Sequence, residues 1–121
     1  MKLLIVDDSS VVRLAIQRDL ENGHITQVDQ AADGEEALRL YKEKLHDVIT
    51  LDITMPRMDG LTCLESLLNI NPEAKILIIS ALRDRATALI ALKRGARGFL
   101  CKPINPDELR EAFELLLTDE S

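Results

Sequence analysis

The sequence predicts an α/β fold, one five-stranded parallel sheet with helices on both faces. Three observations carry that expectation. Strand-like and helix-like patterns alternate five times along 121 residues. The connections between them are short, and right-handed crossovers leave few other arrangements for successive β-α units. The near-continuous apolar run Val48-Ile49-Thr50-Leu51 lacks the alternation of a half-wet strand, as a strand covered on both faces requires.

Each element has its own signal. The first strand runs from about Lys2 to Val6. Asp8-Ser9-Ser10 then offers N-cap residues, and Val11 to Glu21 reads as a helix stopped by Asn22-Gly23. Ile25 to Gln30 alternates, as an edge strand with one wetter face would. Asp33-Gly34-Glu35-Glu36 has capping-box spacing and opens a helix through Ala37, Leu38, Leu40 and Tyr41 to about Lys44. Val48 to Leu51 is the third strand. Asp59-Gly60 begins a helix with Leu61, Leu64, Leu67 and Leu68 on one face, closed by Asn71-Pro72. Lys75 to Ile79 is the fourth strand and Asp84 to Arg94 the fourth helix, with Gly95 at its C-terminal cap. Gly98 to Cys101 is the fifth strand. Asn105-Pro106-Asp107-Glu108 combines an N-cap, a first-turn proline and a capping-box glutamate, and launches the last helix, Leu109 to about Leu117. The tail from Thr118 to Ser121 is polar and expected to fray.

Composition narrows the function. The size is that of one domain, expected over residues 1–121. Hydrophobic residues make up 46% of the chain but aromatics only 2%, so the core must come from Leu, Ile, Val and Ala. A net charge of -6 argues against direct nucleic-acid binding. No apolar stretch is long enough for membrane insertion. Met1-Lys2 leads straight into a strand-like run, so no secretory signal is expected. Cys63 and Cys101 lack metal-ligand spacing and read as small buried hydrophobes in a reducing compartment. The expected location is cytoplasmic.

The strand ends carry the chemistry. Val6 runs into Asp7-Asp8, Leu51 into Asp52, Ile79 into Ser80 and Cys101 into Lys102. In parallel α/β sheets ligands bind beyond the carboxyl ends of strands, where strand order reverses. That rule gathers three carboxylates, a hydroxyl and an ammonium. Carboxylates about 4 Å apart repel by roughly 4 kcal/mol per pair at an effective dielectric near 20, so they need protons or a counter-ion. An oxygen-only ligand set on a rigid edge favours Mg2+, with Mn2+ as the alternative. Lys102 can bind a phosphate oxygen as a point charge, and Ser80 can donate to a second. A carboxylate facing a cation is a competent nucleophile toward phosphorus.

With these residues together, the chain resembles the receiver domain of two-component response regulators. The resemblance rests on Asp7-Asp8, the segment Asp52-Ile-Thr-Met-Pro-Arg-Met-Asp-Gly60, Ser80-Ala81 and Lys102-Pro103, in that order and spacing. Ala32-Asp33-Gly34-Glu35-Glu36-Ala37-Leu38 adds a typical receiver second-helix entry. The match spans essentially the whole chain, and Val6-Asp-Asp-Ser-Ser-Val-Val-Arg13 is most similar to CheY-like single-domain regulators. The resemblance implies the (βα)5 flavodoxin-like receiver fold and assigns roles. Asp52 is the phosphoacceptor. Asp8 is a direct metal ligand, Asp7 holds the ion largely through water, and Asp52 and the Thr54 backbone carbonyl complete the protein's share of the Mg2+ site. Lys102 is the family's lysine, Ser80 the hydroxyl that reorients toward the phosphoryl group, and Phe99 the switch aromatic. Lys102-Pro103 is a candidate cis peptide. Met55-Pro56 and Asp59-Gly60 look like the loop and helix start beside the acceptor. The implied protein is a phosphorylation-activated switch rather than an enzyme, catalysing only its own phosphotransfer and dephosphorylation. Its donor is a sensor histidine kinase or phosphotransfer protein. Its output is an unnamed protein target bound by the surface of the fourth helix, fifth strand and fifth helix, as a monomer or a phosphorylation-dependent dimer.

Simpler roles compete at several positions. Asp59 reads better as a helix cap than as a ligand, and Phe99 is core by default. His24 and His46 read as surface loop residues without a catalytic role. Lys93-Arg94-Arg97 reads as a solvated helix end that favours the local dipole. Thr54 and Leu82 stand at tuning positions, and an apolar Leu82 predicts a longer-lived phosphoform than an acidic residue would. A flavodoxin-like electron carrier would need a phosphate-binding loop where Asp7-Asp8 stands. An aspartate-nucleophile phosphatase usually has a second carboxylate where Thr54 stands. A receiver cut from a longer regulator with a DNA-binding or enzymatic output domain is the remaining alternative.

Overall fold

Five β-α units follow one another without interruption. The computed structural model describes residues 1–21, 24–54, 59–81 and 85–118. The order is β1 (Lys2–Val6), α1 (Ser10–Leu20), β2 (Gln27–Ala31), α2 (Gly34–Lys44), β3 (Val48–Asp52), α3 (Gly60–Ile70), β4 (Lys75–Ser80), α4 (Arg85–Lys93), β5 (Gly98–Cys101) and α5 (Pro106–Thr118). All strands are parallel, in the spatial order β2-β1-β3-β4-β5. The chain leaves β1 for β2 on one side and returns to β3 on the other. The reversal therefore lies between the carboxyl ends of β1 and β3, where Asp7 and Asp52 emerge.

Alternation along the strands divides the core in two. Leu4, Val6, Ile49, Leu51, Ile76 and Ile78 face α2, α3 and α4, meeting Tyr41, Leu64, Leu67 and Ala88. Leu3, Ile5, Val48, Leu77 and Ile79 face α1 and α5, meeting Ile16, Leu20, Leu109 and Phe113. Burying each such Leu or Ile side chain contributes about 1.5–3 kcal/mol. Both faces of the central strands are thus sealed, and the polar strand ends are the breach in an apolar layer.

Side-chain caps fix where helices begin. Ser9 Oγ accepts from the Val12 amide, Asp33 Oδ1 from Glu36, Asp59 Oδ1 from Thr62, and Asn105 Oδ1 from Asp107 and Glu108; such caps are each worth about 1 kcal/mol. At Gly60 an added Cβ would lie 2.1 Å from the Ile53 Cα, so only glycine lets α3 start so close to the end of β3. Gly95 adopts φ 125° after α4, as a left-handed cap requires.

Two elements depart from expectation. β2 is Gln27–Ala31 rather than Ile25 to Gln30. Thr26 already bonds Met1, and Ala31 pairs with Val6 and is fully buried. The last helix starts at Pro106, a turn before its apolar face, because that turn is capped rather than buried. The expected features at Asn22-Gly23, Met55-Pro56, Leu82, Asp84 and the end of the tail lie outside the described residues. Among the described residues, no helix is long and apolar enough to cross a membrane.

Candidate functional site

The sheet delivers the polar strand ends to one place by register. Asp52 pairs with Ile79 and Ser80 with Cys101, and the Lys102 amide bonds the Ser80 carbonyl. Asp7, Asp52 and Lys102 continue the alternation of Ile5, Val48 and Leu100, all on the α1/α5 face. Ser80 continues that of Ile78 on the opposite face, where Phe99 also packs. Phe99, paired with Ile78, therefore lies one pleat below Ser80.

Asp7 and Asp52 are each 1% exposed, and Ser80 is fully buried. Asp8 is exposed at the rim. One carboxylate oxygen from each of Asp7, Asp8 and Asp52 lies within 4.8 Å of the others. The Lys102 ammonium sits 3.0 Å from Asp7 Oδ2 and 3.3 Å from Asp52 Oδ2. The Ser9 amide donates to Asp7 Oδ1 at 2.9 Å. Asp52 Oδ1 accepts from the Thr54 amide at 3.0 Å and the Thr54 hydroxyl at 2.8 Å. Asp7 Oδ2 meets the Lys102 ammonium as a charge contact, and among the described residues the Ser80 hydroxyl has no hydrogen-bond partner.

Burial dominates at Asp7 and pushes its carboxyl above the usual range, against the Ser9 amide and Lys102, with Asp52 adding repulsion. Burial also works against the charge on Lys102. The carboxylates of Asp7 and Asp52 outweigh it and hold the ammonium above its ordinary value. The two shifts are compatible, because one half-exposed cation serves two sealed carboxylates and cannot satisfy both. Three clustered carboxylates with a single ammonium against two of them form an oxygen-only set that fits a hard divalent cation.

Sequence reasoning named Asp7, Asp8, Asp52, Ser80 and Lys102, and the fold brings them to one edge. Phe99 lies half-buried behind Ser80. Thr54 is adjacent to Asp52, through an amide and hydroxyl that sequence reasoning did not anticipate. Lys102-Pro103 is cis, and Asp59 is a cap. Arg13 was missed. Its Nη1 donates to the Asp7 carbonyl at 2.6 Å and its Nε to Gln30 Oε1 at 3.0 Å.

His46 is a correction. It is not a surface loop residue: its side chain is fully buried, with Nε2 2.7 Å from Asp29 Oδ2 and its ring stacked on Tyr41. α2 ends at Leu45 in a left-handed conformation, which turns the chain inward before β3. His24 is exposed, as expected. Cys63 is buried and its thiol pushed up to about 12 by burial, but Cys101 is only half-buried. Arg94 of the basic cluster pairs with Glu65 of α3.

Residues 3–114 match the family described as response regulator receiver domain. The chain belongs to that family. This receiver domain is 40% identical over 114 residues to the chemotaxis protein CheY of Listeria monocytogenes, covering 94% of this chain and 96% of that protein. A chain in the crystal structure of the CheX-CheY-BeF3-Mg2+ complex from Borrelia burgdorferi superposes with a TM-score of 0.91 at 34% identity, covering 98% of this chain and 90% of that one. The receiver domain is also 42% identical over 104 residues to a protein-glutamate methylesterase/protein-glutamine glutaminase of Archaeoglobus fulgidus, covering 85% of this chain but 30% of that protein.

Proposed function

We propose that this receiver domain, over residues 1–121, is a switch that accepts a phosphoryl group on Asp52 with Mg2+ and then alters its α4-β5-α5 surface to control a protein partner. The observation that carries this reading is the Lys102 ammonium, itself partly exposed, shared between the buried carboxylates of Asp7 and Asp52.

Phosphoryl transfer asks a protein mainly for positioning and charge neutralisation. Thr54 holds one Asp52 oxygen with two hydrogen bonds and so fixes the carboxylate plane. An Asp52 oxygen attacks phosphorus, the bond from phosphorus to a donor imidazole nitrogen breaks, and the imidazole leaves with the electron pair. Asp7, Asp8, Asp52 and the Thr54 carbonyl would hold the cation, which when bound neutralises the charge gathered around the phosphoryl oxygens. Lys102 is positioned to exchange a carboxylate contact for a phosphoryl oxygen. Ser80, buried without a partner among the described residues, gains one when acceptor oxygens arrive. Its movement frees the pleat below for Phe99, and a few kcal/mol of differential stabilisation suffice to shift such a two-state surface.

The donor in this reading is a phosphohistidine of a sensor kinase or phosphotransfer protein. Incubation with acetyl phosphate and Mg2+ followed by intact mass tests the core. A phosphoryl adduct that requires metal and is absent in Asp52→Asn is expected, and a wild-type chain that forms none would overturn the reading. A second reading, a receiver working within a longer regulator, is favoured by the methylesterase relative, of which the match covers 30%. The length of the natural reading frame separates the two.

A further inference from the structure

We infer that Arg13 is a positioning residue for the acidic pair, fixing through the Asp7 carbonyl the peptide plane that joins Asp7 to Asp8. The inference rests on the reading of those two residues as holders of a divalent cation.

The backbone explains why such a grip is needed. The Asp7 amide bonds the Ala31 carbonyl at 3.1 Å, extending the β1-β2 ladder one step beyond Val6. Helix α1 claims its first carbonyl only at Ser9, which accepts from the Arg13 amide at 3.0 Å. The Asp7 carbonyl falls between, belonging to neither ladder nor helix. A buried carbonyl left so would be costly, and a charged donor satisfies it best. Arg13 Nη1 reaches it at 2.6 Å. The same oxygen belongs to the peptide unit leading into Asp8, so its direction sets the orientation of one carboxylate relative to the other.

The guanidinium is itself held. Its Nε donates to Gln30 Oε1 on β2, and Gln30 Nε2 donates to Gln17 Oε1 on α1 at 2.6 Å. Gln30 pairs in register with Ile5 and so shares the face that α1 covers. The chain of contacts runs from edge strand to helix to the turn bearing both acids. Arg13 touches no carboxylate in this chain of bonds, so its action on the site passes through the backbone.

Charge and positioning predict opposite outcomes here. If Arg13 acted only as a cation near an acidic pocket, its removal would tighten Mg2+ binding. If it orients the acids, removal weakens Mg2+ binding, by about tenfold where outer-shell partners of metal ligands are lost. Lysine keeps the charge but not the planar fork that serves carbonyl and Gln30 together.

Mg2+ titration of 15N-labelled protein, read from amide shifts, tests this directly and reports folding in the same spectra. Arg13→Ala and Arg13→Lys are expected to raise the Mg2+ dissociation constant about tenfold, and Gln30→Ala, with charge unchanged, to raise it severalfold. Unchanged or tighter binding in a folded Arg13→Ala, or wild-type affinity in Arg13→Lys, would overturn the inference. Should Arg13→Ala not fold, wild-type affinity in Gln30→Ala would do so alone. Wild-type protein showing no Mg2+ shifts at Asp7 and Asp8 would instead overturn the metal-site reading and this inference with it.

Discussion

Lys102 Nζ stands 3.0 Å from Asp7 Oδ2 and 3.3 Å from Asp52 Oδ2, one ammonium between two sealed carboxylates that come from different strands. Asp7 follows β1 at the chain reversal, Asp52 ends the neighbouring β3, and Lys102 follows the edge strand β5, two places beyond β3. A cis peptide follows Lys102. The arrangement leaves the acids under-compensated, since Asp8 adds a third carboxylate within 4.8 Å.

Lys102→Met is therefore expected to leave the fold intact but to slow adduct formation on Asp52 by about a hundredfold, the scale of losing one preorganised charge partner of the transition state. Intact-mass time courses with acetyl phosphate measure the rate. A variant phosphorylated at the wild-type rate would show that the ammonium serves structure alone.

The raised carboxyl of Asp7 makes metal-free stability depend on pH in a defined sense. A raised native value means that the folded state holds the proton better than the unfolded chain. Stability is fully present below the ordinary aspartate range near 3.9 and falls as pH rises through the raised native value. Asp7→Asn abolishes that slope and gains at neutral pH on the order of the 1–3 kcal/mol that an imperfectly satisfied buried polar group costs. Urea unfolding in chelator, followed from about pH 4 (the ordinary aspartate range) to neutral pH and above, measures both. A slope that persists in Asp7→Asn would assign it to another group.

Much of this site was legible because parallel strands convert sequence order into spatial order. Asp7, Asp52 and Lys102 each follow an apolar residue of the α1/α5 face by an even step, so alternation alone places them together. Ser80 and Phe99 share the other parity in the same way. His46 carried no such signal. Its burial depends on Asp29 and Tyr41, which reach it from β2 and α2, and on a left-handed Leu45 that sequence pattern does not announce. Arg13 was hidden for a different reason: its partner is a backbone carbonyl, which has no residue identity to read. The end of β2 was misplaced because Ala31 pairs with Val6 while its side chain gives no strand signature.

The Asp29 cluster at the far end of the sheet predicts the opposite pH behaviour to Asp7. Burial would raise the Asp29 carboxyl, but the bonds from His46 and Lys44 outweigh it and hold the group low. Its contribution is present above the ordinary aspartate range and is lost as pH falls through the depressed native value. Asp29→Asn is expected to destabilise the domain at pH 7 by about 1–3 kcal/mol, the scale of hydrogen bonds to charged groups. The difference from wild type should shrink toward about pH 3, below the ordinary carboxylate range. Chemical denaturation at both extremes checks it, and a deficit that does not change with pH would mean that packing rather than charge holds His46.

Ser80 separates the cost of the resting state from the gain on phosphorylation. Its hydroxyl is fully buried and has no partner among the described residues, and such a group destabilises by about 1–3 kcal/mol. Ser80→Ala replaces it with a group of similar volume and no unmet polarity, so the resting domain should become more stable by about 1 kcal/mol. The same substitution removes the donor that the phosphoryl oxygens would recruit, so phosphorylation should stabilise the variant less than it does wild type. Urea midpoints before and after treatment with acetyl phosphate and Mg2+ give both quantities in one series. Loss of resting stability in Ser80→Ala would mean that the hydroxyl already has a partner. An undiminished gain on phosphorylation would remove Ser80 from the switch and leave Phe99 without a cause to move.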